Sequence, residues 1–341
     1  MFYKQKWVEQ YLTKLEEEIF NKYKNEKINT LYIGGGTPSC LELPSLEKLL
    51  KILSNIKLQD KGEYTIEFNP EDLVEEKIKL ISKYNINRVS IGVQTFNSRH
   101  LKTLNRKTDY EFLAKGIELL NKYGIDNISL DLMYGFNGQT KDELKDDLIK
   151  FTSLKIKHIS TYSLILESNT SLFINDYKEI DPDLESDFYF MIINFLEEKG
   201  FNQYELSNFS KKGYESKHNL IYWNNENYYG FGLSAASYIE DERIVNTSSI
   251  NSYFEGKTVR EVEKLNRDDI IKYHLMLGFR KTKGININEF EKKYNINILS
   301  INNIEKLVEE GRLKISEGYI YIPREYLYLS NDILVELIWI N

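Results

Sequence analysis

From residue 28 onward, short apolar runs alternate with longer stretches of helical period. "INTLYI" precedes a helical pattern around "LPSLEKLLKILSNI", and "EYTIEFNP" precedes "EDLVEEKIKLISKY". "INRVSIGVQTF" leads to "DYEFLAKGIELLNKYG", "IDNISLDLMYG" leads to "TKDELKDDLIKFTSL", and "IKHISTYSLILE" follows. This rhythm predicts parallel strands joined by right-handed crossover helices. Thr140 with acidic residues behind it, and Pro70-Glu71-Asp72, suit helix first turns.

Alternate residues of a strand face opposite sides. Val89, Ile91 and Val93 share one face of "RVSIGVQ", against Arg88, Ser90, Gly92 and Gln94 on the other. Ile66 and Phe68 oppose Thr65, Glu67 and Asn69, while Ile128, Leu130 and Leu132 oppose Asn127, Ser129 and Asp131. A doubly wound sheet would be apolar on both faces. One apolar and one polar face predict a parallel (β/α) barrel, or an incomplete half-barrel, whose helices cover the outside and whose polar lumen takes a ligand. The polar positions gather at C-terminal strand ends, where barrel enzymes place their chemistry.

The rhythm stops near residue 180. "YELSNFSKKGYESKHNLIYWNNENYYGFGLSAASYIEDERIVN" is rich in Asn, Tyr, Gly and Ser and has no helical period. Helices and a β-hairpin follow, the pattern of a small winged-helix-like module with no positive recognition face. The expected division is therefore 1–175 (partial barrel), 176–255 (aromatic and Asn-rich segment) and 256–341 (C-terminal module). "MFYKQKWVEQYLTKLEEEIF" at the start is an amphipathic, highly charged helix.

Composition narrows the function. Of 341 residues, 41% are hydrophobic, enough for a substantial core, and the formal charge of −7 argues against a nucleic-acid partner. No apolar run is long enough to span a bilayer and no signal-peptide core is present, so a soluble cytoplasmic protein is the default expectation. The single cysteine, Cys40, excludes an internal disulfide and a cysteine-only metal cage in one chain.

The chemistry begins at "LYIGGGTPSC", where a strand runs into three glycines. A tight turn needs one or two; three suggest a ligand lying against the main chain. Four segments follow this pattern in order at strand ends: "YIGGGTPS", "TIEFNPE", "NRVSIGVQTFN" with "LNR", and "DLMYGFNGQT". Together they resemble the radical S-adenosylmethionine enzymes of the oxygen-independent coproporphyrinogen oxidase type, over nearly the whole chain. "HNLIYW" followed by "GFGLSAAS" is similar to the heme-chaperone branch of that family.

The resemblance implies roles. Gly35, Gly36 and Thr37 would hold the methionine end of S-adenosylmethionine, and Glu67 would pair with its positive groups; a solvated strand-end carboxylate is the other reading of Glu67. Gln94, Arg106 and Asp131 would line the same cavity. Arg106 has a second reading as the ion-pair partner of Asp131. Ile165 and Ala236 match positions that pack on adenine, or are plain core. His218 is a candidate heme ligand with Tyr222 and Trp223 as flat cover, or a structural histidine. Tyr204 and Glu205 match a family pattern without an assigned role. The implied function is binding heme and passing it to acceptors such as respiratory enzymes. The alternative is oxidative decarboxylation of coproporphyrinogen III.

The family carries a C-x₃-C-x₂-C loop that ligates a [4Fe–4S] cluster, upstream of a helix like the one opening this chain. One thiolate cannot hold such a cluster, so the cluster is expected only in a full-length form. The chain as written is not expected to cleave S-adenosylmethionine reductively. Lost N-terminal residues are the expectation, because the downstream cavity positions are intact; a natural degenerate homologue is the alternative. No catalytic residue and no metal ligand is assigned within this sequence.

Overall fold

The computed structural model describes residues 5–166, 171–174, 177–301 and 303–339. By contacts the chain forms two compact units. The sheet unit comprises Leu31–Leu41 and Glu63–Glu215; the terminal unit comprises Met1–Thr30, Glu42–Gly62 and Ser216–Asn341.

The expected alternation is present. Helix α1 (Gln5–Lys22) and strand β1 (Ile28–Ile33) lead to α2 (Leu43–Leu53) and β2 (Leu58–Phe68). Next come α3 (Glu75–Lys83), β3 (Arg88–Gln94), α4 (Ser98–Thr103), α5 (Tyr110–Lys122), β4 (Asn127–Tyr134), α6 (Lys141–Ser153) and β5 (His158–Ser163). Short α7 (Ser171–Ile174), long α8 (Pro182–Glu198), β6 (Asn202–Gln203) and β7 (Asn208–Ser210) complete this stretch. The strands make a seven-stranded sheet in the order β1-β2-β3-β4-β5-β7-β6. β2 through β5 pair in parallel, whereas β7 runs antiparallel to β5 and β6 antiparallel to β7.

Local chemistry sets these elements. Thr140 accepts the Glu143 N–H while Glu143 accepts the Thr140 N–H, a complete capping box on α6. Asp109 caps α5 through the Phe112 N–H at 2.8 Å. Pro70–Asp72 is a 3₁₀ turn and α3 starts only at Glu75, later than the helical period predicts. The reason lies in Asp72, whose carboxylate takes Ser39 Oγ at 2.8 Å and Lys77 Nζ at 2.7 Å and holds the turn. The strand faces follow the predicted parity. Ile66, Val89, Ile91, Ile128 and Leu130 are fully buried, and α3, α5 and α6 present buried stripes of Ile78, Ile117 and Leu148. Helix α8 lies past residue 180, where the predicted rhythm stops, and β7 lies in the stretch read as having no helical period.

In the terminal unit, α9 (Lys217–Trp223) precedes the sheet of β8 (Ala236–Ile239), β9 (Glu242–Asn246) and β10 (Val259–Lys264), with α10 (Ile250–Phe254) between the last two. Then α11 (Arg267–Gly278), β11 (Ile285–Asn286), α12 (Ile287–Tyr294), α13 (Ile304–Glu309), β12 (Lys314–Ser316), β13 (Tyr319–Tyr321) and α14 (Ser330–Trp339) form the helical and hairpin module. Its hairpin turns on Glu317 and Gly318, both at positive φ, as a two-residue primed turn requires. Glu18 of α1 is a buried anchor: it accepts the Gly232 N–H, Asn246 Nδ2 and the Tyr253 hydroxyl, and Lys22 supplies the countercharge. Among the described residues, no helix is long and apolar enough to cross a membrane.

Candidate functional site

The glycines after β1 do three different jobs. At Gly34 a Cβ would stand 2.5 Å from the Tyr32 ring and 2.6 Å from Glu67 Oε1, so packing requires its absence. Gly35 has φ +86°, a left-handed conformation that favours glycine. Gly36 needs neither: no atom lies within 4 Å of where its Cβ would be, and its φ is ordinary. Neither packing nor backbone conformation requires a glycine at 36. Thr37 is left-handed too, at φ +57°, an uncommon conformation for a side-chain-bearing residue.

Glu67, at the end of β2, faces this loop. Its Oε1 accepts the Tyr32 hydroxyl at 2.8 Å and its Oε2 accepts the Gly35 N–H at 3.1 Å. Sheet register explains what stands beside it. Glu67 lies opposite Ser90, Ser90 opposite Ser129, and Ser129 opposite His158. Asp131 lies opposite Ser160. Ser90 donates to Asp131 at 3.3 Å. Burial lifts the Asp131 carboxyl to about 6 and the nearby Glu67 charge adds to this, against the opposing pull of Ser160, Arg88 and Ser90. Burial and the Glu67 charge also push the Tyr32 phenol upward.

Two further buried residues, Arg88 and His158, were given no role in the sequence reading. Arg88 is 3% exposed, and its charge is felt by Tyr32, Asp131, His158 and Tyr162. His158 is fully buried, with Nδ1 at 2.7 Å from Ser129 Oγ and Nε2 at 2.8 Å from the Tyr204 hydroxyl. Burial first, then Arg88, hold it far below the usual histidine range, so it is neutral. Glu205 is buried and accepts from Asn208. The signal for Arg88 and His158 was the same alternation that places Ser90 and Ser160. Glu67 and Asp131 thus share this face of the sheet with the Arg88 cation.

Gln94 reaches this lumen by an irregular route. Between Ile91 and Gln94 the register of β3 on β4 slips by one residue, and Gln94 has φ +70°. Its Nε2 ends 3.1 Å from where a Gly92 Cβ would stand, beside the Arg106 guanidinium at 3.3 Å. Arg106 donates to the Gly92 carbonyl at 2.9 Å. Its bond is to backbone, and the hydrogen bonds of Asp131 are to Ser90 and Ser160. Glu67, Asp131, Gln94 and Arg106 therefore belong to one strand-end group in the sheet unit. Ile165, past the end of β5, is 73% exposed.

Ala236 and His218 belong to the terminal unit. Ala236 opens β8 and is exposed. His218 lies on α9, with Nδ1 at 2.8 Å from Thr30 Oγ1 and Nε2 at 2.9 Å from the Tyr222 hydroxyl. Its ring meets Tyr222 edge-on, with centroids 5.0 Å apart. An open pocket of about 380 Å³ runs along α9, lined by Thr30, Lys61, Lys217, Leu220 and Ile221 among others.

Residues 2–150 match the Radical SAM superfamily, which is the class of protein that this parallel sheet and glycine-edged lumen define. Over 335 residues the chain is 37% identical to the heme chaperone HemW of Lactococcus lactis subsp. lactis (strain IL1403), covering 95% of this chain and 86% of that protein. It is 35% identical over 342 residues to the heme chaperone HemW of Bacillus subtilis (strain 168), covering 96% and 90%. The chain belongs to the HemW family within the radical SAM superfamily. Among solved structures, the coproporphyrinogen III oxidase HemN of Escherichia coli, a radical SAM enzyme, superposes with a TM-score of 0.86 over 99% of this chain and 85% of that one. At 20% identity that likeness is one of fold.

The superfamily implies S-adenosylmethionine and a [4Fe–4S] cluster. The open space at Gly36 and the Glu67 carboxylate on the same loop fit the former. The latter does not fit the residues present. Cys40 is the one cysteine of the sequence and is exposed, and among the described residues no three His, Cys, Asp or Glu side chains gather to hold a metal ion.

Proposed function

We propose that this chain is a heme chaperone that binds heme and delivers it to acceptor proteins, with S-adenosylmethionine held in the lumen of the sheet unit. The observation that carries the reading is the chain-long likeness to HemW proteins, 37% identity over 95% of the chain. S-adenosylmethionine, when bound, brings a sulfonium centre together with an ammonium and a carboxylate. Gly35, Gly36 and Thr37 would meet its methionine end along the main chain, and Glu67 would receive positive charge there. Gln94, Arg106 and Asp131 would border it, Ile165 offers exposed apolar surface for the adenine end, and Ala236 keeps that assignment from the resemblance alone. In the terminal unit, α9 is the proposed heme-contacting element, with His218 as ligand and Tyr222 and Trp223 as aromatic cover. The three-part division at residues 175 and 255 and a cytoplasmic location belong to the same reading.

The test is a heme titration followed at the Soret band, then mixing of the loaded chain with an apo-haemoprotein. Stoichiometric binding and appearance of the holo-acceptor spectrum are expected. Absence of a Soret complex would overturn the proposal.

A further inference from the structure

We propose that Asp147, a helix residue outside the lumen, is a positioning residue for S-adenosylmethionine that acts by holding Gln94 over Gly92. The inference rests on the reading of Gln94 as a lining residue. Left-handed backbone at a glutamine is costly and persists only where the surroundings over-determine it. At Gln94 those surroundings are identifiable. Asp147 lies on α6 and is 1% exposed. Its Oδ2 accepts the Thr95 hydroxyl at 2.6 Å and its Oδ1 accepts the Phe96 N–H at 2.7 Å, so both oxygens grip the two residues directly after Gln94. The grip is relayed: the Asn97 N–H donates to Thr95 Oγ1 at 2.9 Å, and the Thr95 N–H donates to the Val93 carbonyl at 3.0 Å. On the other side, Arg106 ties Gly92 through its carbonyl. The turn carrying Gln94 is thus clamped at residues 92 and 95–96, at the point where the β3–β4 register slips by one residue before Gln94 pairs with Leu132.

A carboxylate buried this deeply is costly to keep unless its hydrogen bonds return something the fold needs. A loop could be tied to a helix with a neutral side chain. A bidentate anchor placed immediately after a strained, lumen-facing residue fixes the position of that residue to a fraction of an ångström. This is what a binding group that must meet one guest requires.

The experiment measures S-adenosylmethionine binding by equilibrium dialysis for the full chain and for Asp147→Asn, Gln94→Ala, the double variant and Thr95→Val, with a thermal melt of each. Asp147→Asn should weaken binding about tenfold, the loss expected when one well-placed hydrogen bond to the guest is misaligned. The double variant should bind no more weakly than Gln94→Ala alone, because Asp147 acts through Gln94. Thr95→Val should shift affinity in the same direction by a smaller factor. Wild-type affinity in Asp147→Asn, or losses that multiply in the double variant, would overturn the proposal. If Asp147→Asn does not fold, Thr95→Val combined with Gln94→Ala forms the cycle and is judged by the same criterion. A wild-type chain that does not bind S-adenosylmethionine removes the lumen reading itself, and this proposal with it.

Discussion

The carboxylate of Glu67 accepts the backbone N–H of Gly35 at 3.1 Å. One strand end thereby dictates the shape of the loop on its neighbour, and a negative charge stands where the proposed ammonium would arrive. Glu67→Gln keeps the shape and removes the charge. We expect about tenfold weaker S-adenosylmethionine binding, since charge-assisted hydrogen bonds are the stronger kind, with a melting temperature close to wild type. Isothermal titration decides; unchanged affinity would leave Glu67 as a loop tie only.

Gly34 and Gly36 should differ in what alanine does to stability. Gly34→Ala drives a Cβ into the Tyr32 ring and Glu67, so both stability and binding should fall. Gly36→Ala meets open space and should melt like the wild type. If a ligand occupies that space, Gly36→Ala should abolish binding at wild-type stability. An alanine at 36 that still binds normally would mean that the guest lies elsewhere.

The Asp131 carboxyl, raised from 3.8 to about 6, makes stability depend on pH. An acid with a raised folded pKa holds its proton longer in the folded chain than in the unfolded one. Its stabilising effect is therefore complete at low pH and is lost as pH rises through the window between those two values. Asp131→Asn removes the penalty of the buried charge. Its melting temperature relative to wild type should rise between pH 4.5 and 7.5, reflecting up to about 2–3 kcal/mol. A difference independent of pH would show that Asp131 ionises normally.

His218 carries its own discriminating pair of variants. Both ring nitrogens already have hydroxyl partners, Thr30 and Tyr222. If heme iron takes Nε2, the Tyr222 hydroxyl must leave. Tyr222→Phe should then bind heme about fivefold more tightly, the worth of one net hydrogen bond, while His218→Ala should bind more weakly with a displaced Soret maximum. Identical spectra and affinities across all three proteins would assign His218 to holding α9 against Thr30.

Anaerobic reconstitution of this chain with iron and sulfide should give no stoichiometric [4Fe–4S] absorption. Its one thiol is also a poor ligand, because partial desolvation of the sulfur in an otherwise exposed residue, and then the Asp72 charge, push the Cys40 pKa upward. Stoichiometric cluster formation would require ligands other than cysteine.

The lumen was legible because strand alternation survives any context in which one face is buried, and Glu67 and Asp131 stand where it puts them. The same alternation put Gln94 on the polar face and the resemblance made it a site residue, yet its strand slips register before reaching it. No single-strand pattern contains that slip, since it depends on which partner residue each amide finds. His158 and Tyr204 meet although 46 positions apart, through the antiparallel addition of β7, whose three residues are too few to show a period. The glycine triplet reads as three equal letters. Only the atoms around each position separate packing at Gly34, a left-handed turn at Gly35 and open space at Gly36.

Glu18 of α1 finds its partners at Gly232, Asn246 and Tyr253, more than 200 positions downstream. On a ribosome adding 5–20 residues per second, roughly 10–40 seconds separate the emergence of this acid from that of its donors. All of the sheet unit can be complete by residue 215, while the terminal unit still lacks its third stretch. A nascent chain stalled near that point would hold both stretches of the sheet unit and an α1 whose carboxylate still lacks its donors, so the unit that Glu18 anchors closes after the sheet unit.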